Sequence, residues 1–259
     1  MKLLVVSSLS KAFGGNLAVD KVGFELAAGE LVALIGPNGA GKSTVFNMLN
    51  GQIRPDGGSI RLAEHELVGR LPREIWRLGV GRTFQIAEIF ASLTVVENVQ
   101  MALLAADRQL WSMWRRAASY RRDAAIGLLA QVGMADQADR PCSELAYGDV
   151  KRVELATATG HAPRLLLMDE PTAGMSPPER VALMVLVRKW VDQRRLAVLF
   201  TEHSMDVVFE FADRIVVMDG GRVIADAPPP DIRRDLRVQQ VYFGSGKTFE
   251  KTTRKADAA

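Results

Sequence analysis

The chain has 259 residues, 48% of them hydrophobic and 24% charged, with a formal net charge of +3. That length supports a sizeable core with a subdomain, and that composition excludes disorder except at the end. So mild a charge does not imply nucleic acid, and Cys142 as the only cysteine excludes an internal disulfide and fits a reducing compartment. The apolar opening stretch reaches Ser7, Ser8 and Ser10 too soon for a secretory leader, and no apolar run approaches the roughly twenty residues a bilayer span needs. A soluble chain in the cytoplasm is expected, with any membrane role exercised through a partner.

In chain order, residues 5–9 and 17–26 carry β-type patterning, and residues 31–35 are a continuous apolar run of the kind buried on both faces of a sheet. Residues 36–44 read GPNGAGKST, a glycine-rich loop opening a helix near Lys42 that continues to residue 49. Pro55, Asp56, Gly57 and Gly58 form a turn signal before a short strand at 59–62. From about residue 92 to 159 the strand signals stop, and Val95, Val96, Val99, Leu103 and Leu104 recur at helical spacing. Short apolar runs return at 165–168 and 196–200, separated by a helix-length segment at 178–193, and residues 215–218 and 223–225 flank Asp219, Gly220 and Gly221 as a hairpin. The expected fold class is α/β: a phosphate-loop nucleotide-binding core with a mostly parallel sheet, an N-terminal antiparallel β part and an inserted all-helical subdomain. Residues 1–91 and 160–244 are assigned to the core, 92–159 to the helical subdomain, and 245–259 to a polar tail. The Gly-Ser-Gly-Lys-Thr stretch at 244–248 has no strand before it and is read as the start of that tail.

A strand, a glycine-rich loop and a helix, in that order, are what phosphate binding requires. Gly36, Pro37, Asn38, Gly39, Ala40, Gly41, Lys42, Ser43 and Thr44 are therefore candidates for holding a nucleoside triphosphate. The loop offers backbone N–H groups, and the helix adds the positive end of its dipole. Lys42 supplies a point charge for the β- and γ-phosphates, and the Ser43 hydroxyl a ligand for Mg²⁺. The strand at 165–168 ends in Asp169 and Glu170. Ligands of open parallel sheets sit at such carboxyl ends, so Asp169 is expected in the Mg²⁺ sphere and Glu170 as the general base that polarises an attacking water. His203 follows the strand at 196–200 on the same sheet edge, where its imidazole can contact the γ-phosphate or orient water, whereas His65 and His161 are read as structural.

With these motifs in this order, the chain resembles the ATP-binding cassette (ABC) ATPases from its first strand to about Gly244. The resemblance implies ATP and Mg²⁺ as ligands. It makes Phe13 the aromatic that stacks on adenine, His203 the switch histidine, and Gln85 the glutamine at the nucleotide and metal before the helical insertion. Residues 145–149, Leu-Ala-Tyr-Gly-Asp, match the family's signature segment, in which Ala146 and Gly148 face the nucleotide of a second cassette. A side chain at Gly148 is then expected to collide with that γ-phosphate. Ala146 stands where a hydroxyl is usual, Tyr147 where a glycine is, and Asp149 where a glutamine is. Ala173, Gly174, Met175 and Ser176 replace the usual Ser-Ala-Leu-Asp at the dimer seam.

Residues 82–85, the Leu-Ala-Tyr-Gly of the signature and the closing Tyr242-Phe243-Gly244 resemble the longer ATPase subunit of branched-chain (hydrophobic) amino-acid importers. That implies two membrane-spanning permease subunits and a second ATPase, either a shorter relative or another copy. It also implies a solute-binding protein acting indirectly from outside, and a place on the cytoplasmic face of the membrane. Residues 110–122 mix aromatic and basic side chains and are read chiefly as a partly exposed helix, with contact to lipid headgroups or the membrane partner as the alternative. The competing functions are a small-molecule kinase, a non-transport cassette of DNA repair or translation, and the ATPase of a lipid or lipopolysaccharide exporter.

Overall fold

The computed structural model describes residues 2–107 and 120–243. Ten of the aromatic and basic positions, residues 110–119, and the tail from 244 onward lie outside the described residues. Tyr120 and Arg121 are tied to Asp107, and Arg122 to Asp139.

Two long N-terminal strands, β1 (Lys2–Phe13) and β2 (Asn16–Ala27), pair antiparallel. β1 also pairs with β4 (Gly57–Leu62), and the two-residue β5 (His65–Glu66) completes a sheet ordered β2-β1-β4-β5. The second sheet is built on β3 (Leu31–Ile35), β6 (Val80–Thr83), β7 (Leu165–Asp169), β8 (Ala197–Thr201), β9 (Arg214–Asp219) and β10 (Arg222–Ala227), in the order β10-β9-β3-β8-β7-β6. All its neighbours run parallel except the β9–β10 hairpin. The alternation predicted from the apolar runs is therefore present, with β6 added. Its Val-Gly-Arg-Thr carries too little apolar sequence to be read as a strand, and it is held as one by pairing with β7.

Because successive strand side chains point to opposite faces, one strand feeds two cores. Leu165 and Leu167 of β7 join the cluster under the antiparallel sheet, which includes Leu4, Leu9, Val45 and Phe46. Leu166 and Met168 join the cluster under the helices, with Val99, Val153, Val187 and Trp190. Both faces are covered, which explains why these strands read as unbroken apolar runs.

α1 (Lys42–Leu49) follows β3, and the short α2 (Pro72–Arg77) precedes β6. Between β6 and β7 the described residues form α3 (Val95–Ala106), α4 (Arg122–Gln131), α5 (Tyr147–Ala158) and two 3₁₀ turns, with one isolated β-bridge between Thr94 and Pro141. The start of α3 is fixed by a capping box, in which Thr94 accepts from Glu97 N–H and Glu97 accepts from Thr94 N–H. α6 (Pro177–Arg194) links β7 to β8, and α7 (Met205–Phe211) links β8 to β9. The short α8 (Pro229–Arg234) and α9 (Leu236–Phe243) end the described chain.

Candidate functional site

Parallel pairing brings the carboxyl ends of β3, β8 and β7 to one edge, and the chemistry-bearing residues follow those ends. The loop after β3 curls because two positions admit no side chain. A Cβ at Gly36 would lie 2.2 Å from the Met218 carbonyl oxygen, and one at Gly41 2.4 Å from that of Ala18. Gly41 is also left-handed, at φ 97°, and is the N-cap of α1. It gives the helix no side-chain cap, and the first turn carries no acidic residue, so the orphan N–H groups there are free for an anion.

A cavity of about 310 Å³ opens over this loop. It is lined by Phe13, Asn38, Gly39, Gly41, Lys42, Ser43, Thr44, Asp169, Glu170 and His203, together with Ala18 and Thr201. Phe13 is about half exposed at its edge. Gly36, Pro37 and Ala40 do not line it: the Lys42 ammonium donates to the Gly36 and Pro37 carbonyls at 2.6 and 3.0 Å, and Ala40 is buried. Burial lowers the pKa of Lys42, opposed by the nearby charges of Glu170 and Asp169. Tyr242, of the closing Tyr-Phe-Gly motif, reaches the backbone of Gly36. Burial raises its pKa, and a hydrogen bond with the Gly36 backbone opposes the rise.

The two adjacent carboxylates diverge. Asp169 continues β7, accepts a hydrogen bond from the Thr201 hydroxyl at 2.7 Å and lies 3.7 Å from the Arg82 guanidinium. Arg82 is in turn fixed by Asn47 of α1 and by Gln52, and its guanidinium lies over the Phe84 ring. Glu170 leaves the strand at φ 46°, a left-handed conformation that costs a non-glycine residue about 1–3 kcal/mol. Its N–H donates to Thr201, which turns the carboxylate outward. There the Gln85 amide donates to one oxygen at 2.8 Å, and His203 Nε2 lies 2.9 Å from the other. Thr201 and Arg82 were not singled out from sequence. The available signal was a hydroxyl ending an apolar strand and an arginine three residues before Gln85.

Gln85 does not line the cavity and reaches it only through Glu170. Ala146 and Gly148 are further away: Ala146 is the N-cap of α5, with no side-chain hydrogen bond, and neither residue lines the cavity. A side chain at Gly148 also has a neighbour within this chain. A Cβ there would meet Glu179 Oε1 of the same chain at 2.8 Å. Ser176, placed at a dimer seam from sequence, is the N-cap of α6 and donates to that same Glu179 through N–H and Oγ. His65 and His161 do not line the cavity, and His161 stacks on Trp76 with ring centroids 4.3 Å apart.

The donor set fits a triphosphate with a hard cation. It offers uncapped N–H groups and an ammonium for phosphate oxygens, with the Ser43 hydroxyl and Asp169 carboxylate as oxygen ligands. Among the described residues no cluster of three or more His, Cys, Asp or Glu forms a metal cage. Mg²⁺ does not need one, because it keeps waters and phosphate oxygens beside one or two protein ligands.

Comparison with known proteins agrees with this geometry. The ABC transporter family model matches residues 19–173. The high-affinity branched-chain amino acid transport ATP-binding protein LivG of Salmonella typhimurium (strain LT2) is 40% identical over 252 residues, 93% of this chain and 98% of that protein. The corresponding BraF of Pseudomonas aeruginosa is 38% identical over the same share of both chains. A solved nucleotide-free ATP-binding cassette from an ABC transporter superposes with a TM-score of 0.84 at 27% identity, over 94% of this chain and 100% of its own. The family model spans the phosphate loop, Gln85, residues 145–149 and the two carboxylates, and on that basis the chain belongs to the ABC transporter family.

Proposed function

We propose that this chain is the ATP-hydrolysing subunit of an importer for branched-chain or other hydrophobic amino acids. The observation that carries the hydrolytic reading is the Glu170 carboxylate, held outward between the Gln85 amide and His203 at the mouth of the phosphate-loop cavity. A carboxylate so placed takes a proton from a water attacking the γ-phosphate, while Gln85 and His203 fix its orientation. Lys42 and the α1 N-terminus hold the phosphates, and Phe13 stacks on the adenine. Ser43 and Asp169 would hold Mg²⁺, with Gln85 beside Glu170, and the bound cation would supply charge neutralisation for the phosphates.

Hydrolysis is completed by a second cassette, whose Ala146 and Gly148 cap the nucleotide across the seam. The N-terminus of α5, which has no side-chain cap and does not line the chain's own cavity, supports that role. Residues 92–159 are the unit that tilts, and two membrane-spanning subunits receive the motion. Among the described residues no helix is long and apolar enough to cross a membrane, which supports a peripheral subunit on the cytoplasmic face. A cavity of about 540 Å³ between the core and the helical segment supports a docking place for a membrane subunit. It is lined largely by apolar groups, among them Trp76, Phe84, Phe90 and Met101. The solute class rests on the names of the LivG and BraF relatives, and a solute-binding protein would act only from the far side.

The test is uptake by vesicles reconstituted with the membrane subunits and ATP inside. Leucine uptake that requires this chain and stops with Glu170→Gln is the expected result. Uptake of leucine in the absence of this chain would overturn the assignment, as would phosphate release that depends on an added acceptor other than water.

A further inference from the structure

Residues 84–94 run without helix or strand, so their backbone polar groups need partners from elsewhere. One helix supplies them around Gln85. On α5, Tyr147, Lys151 and Glu154 are spaced i, i+4, i+7 and share one face. The Lys151 ammonium donates to the carbonyls of Phe84 and Gln85 at 2.5 and 2.9 Å. The Tyr147 hydroxyl donates to the same Gln85 carbonyl at 3.2 Å. Glu154 Oε1 accepts from the N–H groups of Phe84 and Glu88 at 2.8 and 3.4 Å, and its other oxygen lies 3.4 Å from Lys151.

Lys151 and Glu154 are only 3% and 4% exposed. Burying two charges is costly, and a buried pair is a weak source of stability even when well bonded. Registry is the better-attested use of such a pair, and here the hydrogen bonds of both groups go to each other or to the Gln85 loop. Burial raises the pKa of Glu154, opposed first by Lys151 and then by the two backbone N–H groups. Tyr147 adds a third anchor: a Cβ at Gly174 would stand 3.1 Å from its ring, so the ring is wedged against the segment after β7. Two departures from the family pattern, tyrosine at 147 and glycine at 174, are therefore one packed contact.

We propose that Tyr147, Lys151 and Glu154 form a positioning stripe that carries the Gln85 loop with the signature helix, so that the placement of α5 sets the Gln85 contact on Glu170. The proposal rests on the hydrolytic reading above. None of the three residues lines the nucleotide cavity, and all act through Gln85. When α5 tilts, the Gln85 carbonyl moves with it, and the side-chain amide leaves the Glu170 oxygen it now bonds at 2.8 Å. A displacement of that order at a reacting group commonly costs about 10- to 100-fold in rate.

The experiment removes both charges together, Lys151→Met with Glu154→Leu, so that neither is left buried alone and the Phe84 and Glu88 N–H groups lose their acceptor. The expected result is a kcat for MgATP hydrolysis lower by about 10-fold or more with KM within about twofold, and no further loss when the pair is added to Gln85→Ala. Independent losses in the Gln85→Ala background, or a rise in KM matching the fall in kcat, would overturn the proposal. Hydrogen exchange reads the same device without activity: the Phe84 and Glu88 amides should lose protection while those of the phosphate loop keep theirs. Unchanged protection at 84–88 in the double variant rejects the stripe, whereas that loss in the variant beside a wild-type chain that hydrolyses no ATP rejects only the hydrolytic reading. Should the double variant not fold, Tyr147→Phe removes one hydroxyl from a ring that is 44% exposed and is judged by the same Gln85→Ala comparison.

Discussion

Asp169 and Glu170 are neighbours in the chain with separate destinations, and the divergence comes from a single backbone reversal at Glu170. Their residue types and their place after an apolar run were legible in the sequence. The reversal was not, because it depends on Thr201 from β8, which donates to Asp169 and accepts from the Glu170 N–H. Glu170→Gln keeps the bulk and the outward direction but cannot take a proton. We expect turnover to fall by about 10²–10⁴-fold with MgATP affinity close to wild type, as read by steady-state phosphate release and by titration with a fluorescent ATP analogue. Lys42→Ala should do the reverse and weaken binding itself, since it deletes a charge-assisted contact. His161 was read as structural and packs on Trp76, where burial lowers its pKa from 6.5 to about 4, partly opposed by the Val80 backbone. Above the upper value both folded and unfolded chains hold it neutral, and it contributes nothing to pH dependence. Between the two values the unfolded chain binds a proton that the folded chain refuses, so stability falls with pH, by roughly 2 kcal/mol near pH 5. His161→Phe should flatten that part of the urea-midpoint profile, and parallel profiles for the two proteins would reject the assignment.

At the level of elements, strands buried on both faces and helices opened by clear caps were the most readable. The run at 31–35 coincides with β3, and that at 178–193 lies one residue inside each end of α6. β6 escaped because its identity comes from pairing, and α2 and α7 because six or seven residues hold too little periodicity to register. The junction of α5 and α6 was legible by motif but not by contact. Gly148 at the start of α5 lies against Glu179, whose carboxylate closes the capping box of α6 and is held below its ordinary pKa by the side chain and then the backbone of Ser176. Gly148→Asp therefore places a second carboxylate against the first before any partner cassette is involved. The isolated chain should melt a few degrees lower, the usual consequence of losing one helix cap in a chain of this size. Differential scanning calorimetry on the lone subunit checks this. An unchanged midpoint would mean that Glu179 swings clear at no cost, and that dimer-closure defects of the variant report the seam alone.

For the whole molecule, the two sheets and the helical segment create three distinct surfaces. The nucleotide cavity lies at the carboxyl edge of the parallel sheet, α5 starts outside its lining, and the apolar groove lies between core and helices. Only the first was derivable from residue chemistry. The groove is assembled from α2, β6, α3 and α5, elements distant in sequence that become a surface only once packed. Its position gives it a mechanical connection to the site, because Arg82 and Phe84 line the groove while Arg82 also approaches Asp169, and Gln85 follows directly. A membrane subunit seated there would press on the same loop that holds Gln85 against Glu170, so docking and hydrolysis would be coupled through a few residues. Met101→Glu puts a charge on the α3 wall of the groove without touching the nucleotide cavity. Seating an apolar partner against a carboxylate costs at least a factor of ten in affinity, since the charge must be desolvated or protonated. The variant should keep the basal ATP hydrolysis of the isolated chain while losing co-purification with the membrane subunits and all solute uptake in vesicles. Intact co-purification would move the docking surface elsewhere on the cassette, and loss of basal hydrolysis in the lone chain would mean that the groove wall supports the catalytic edge directly.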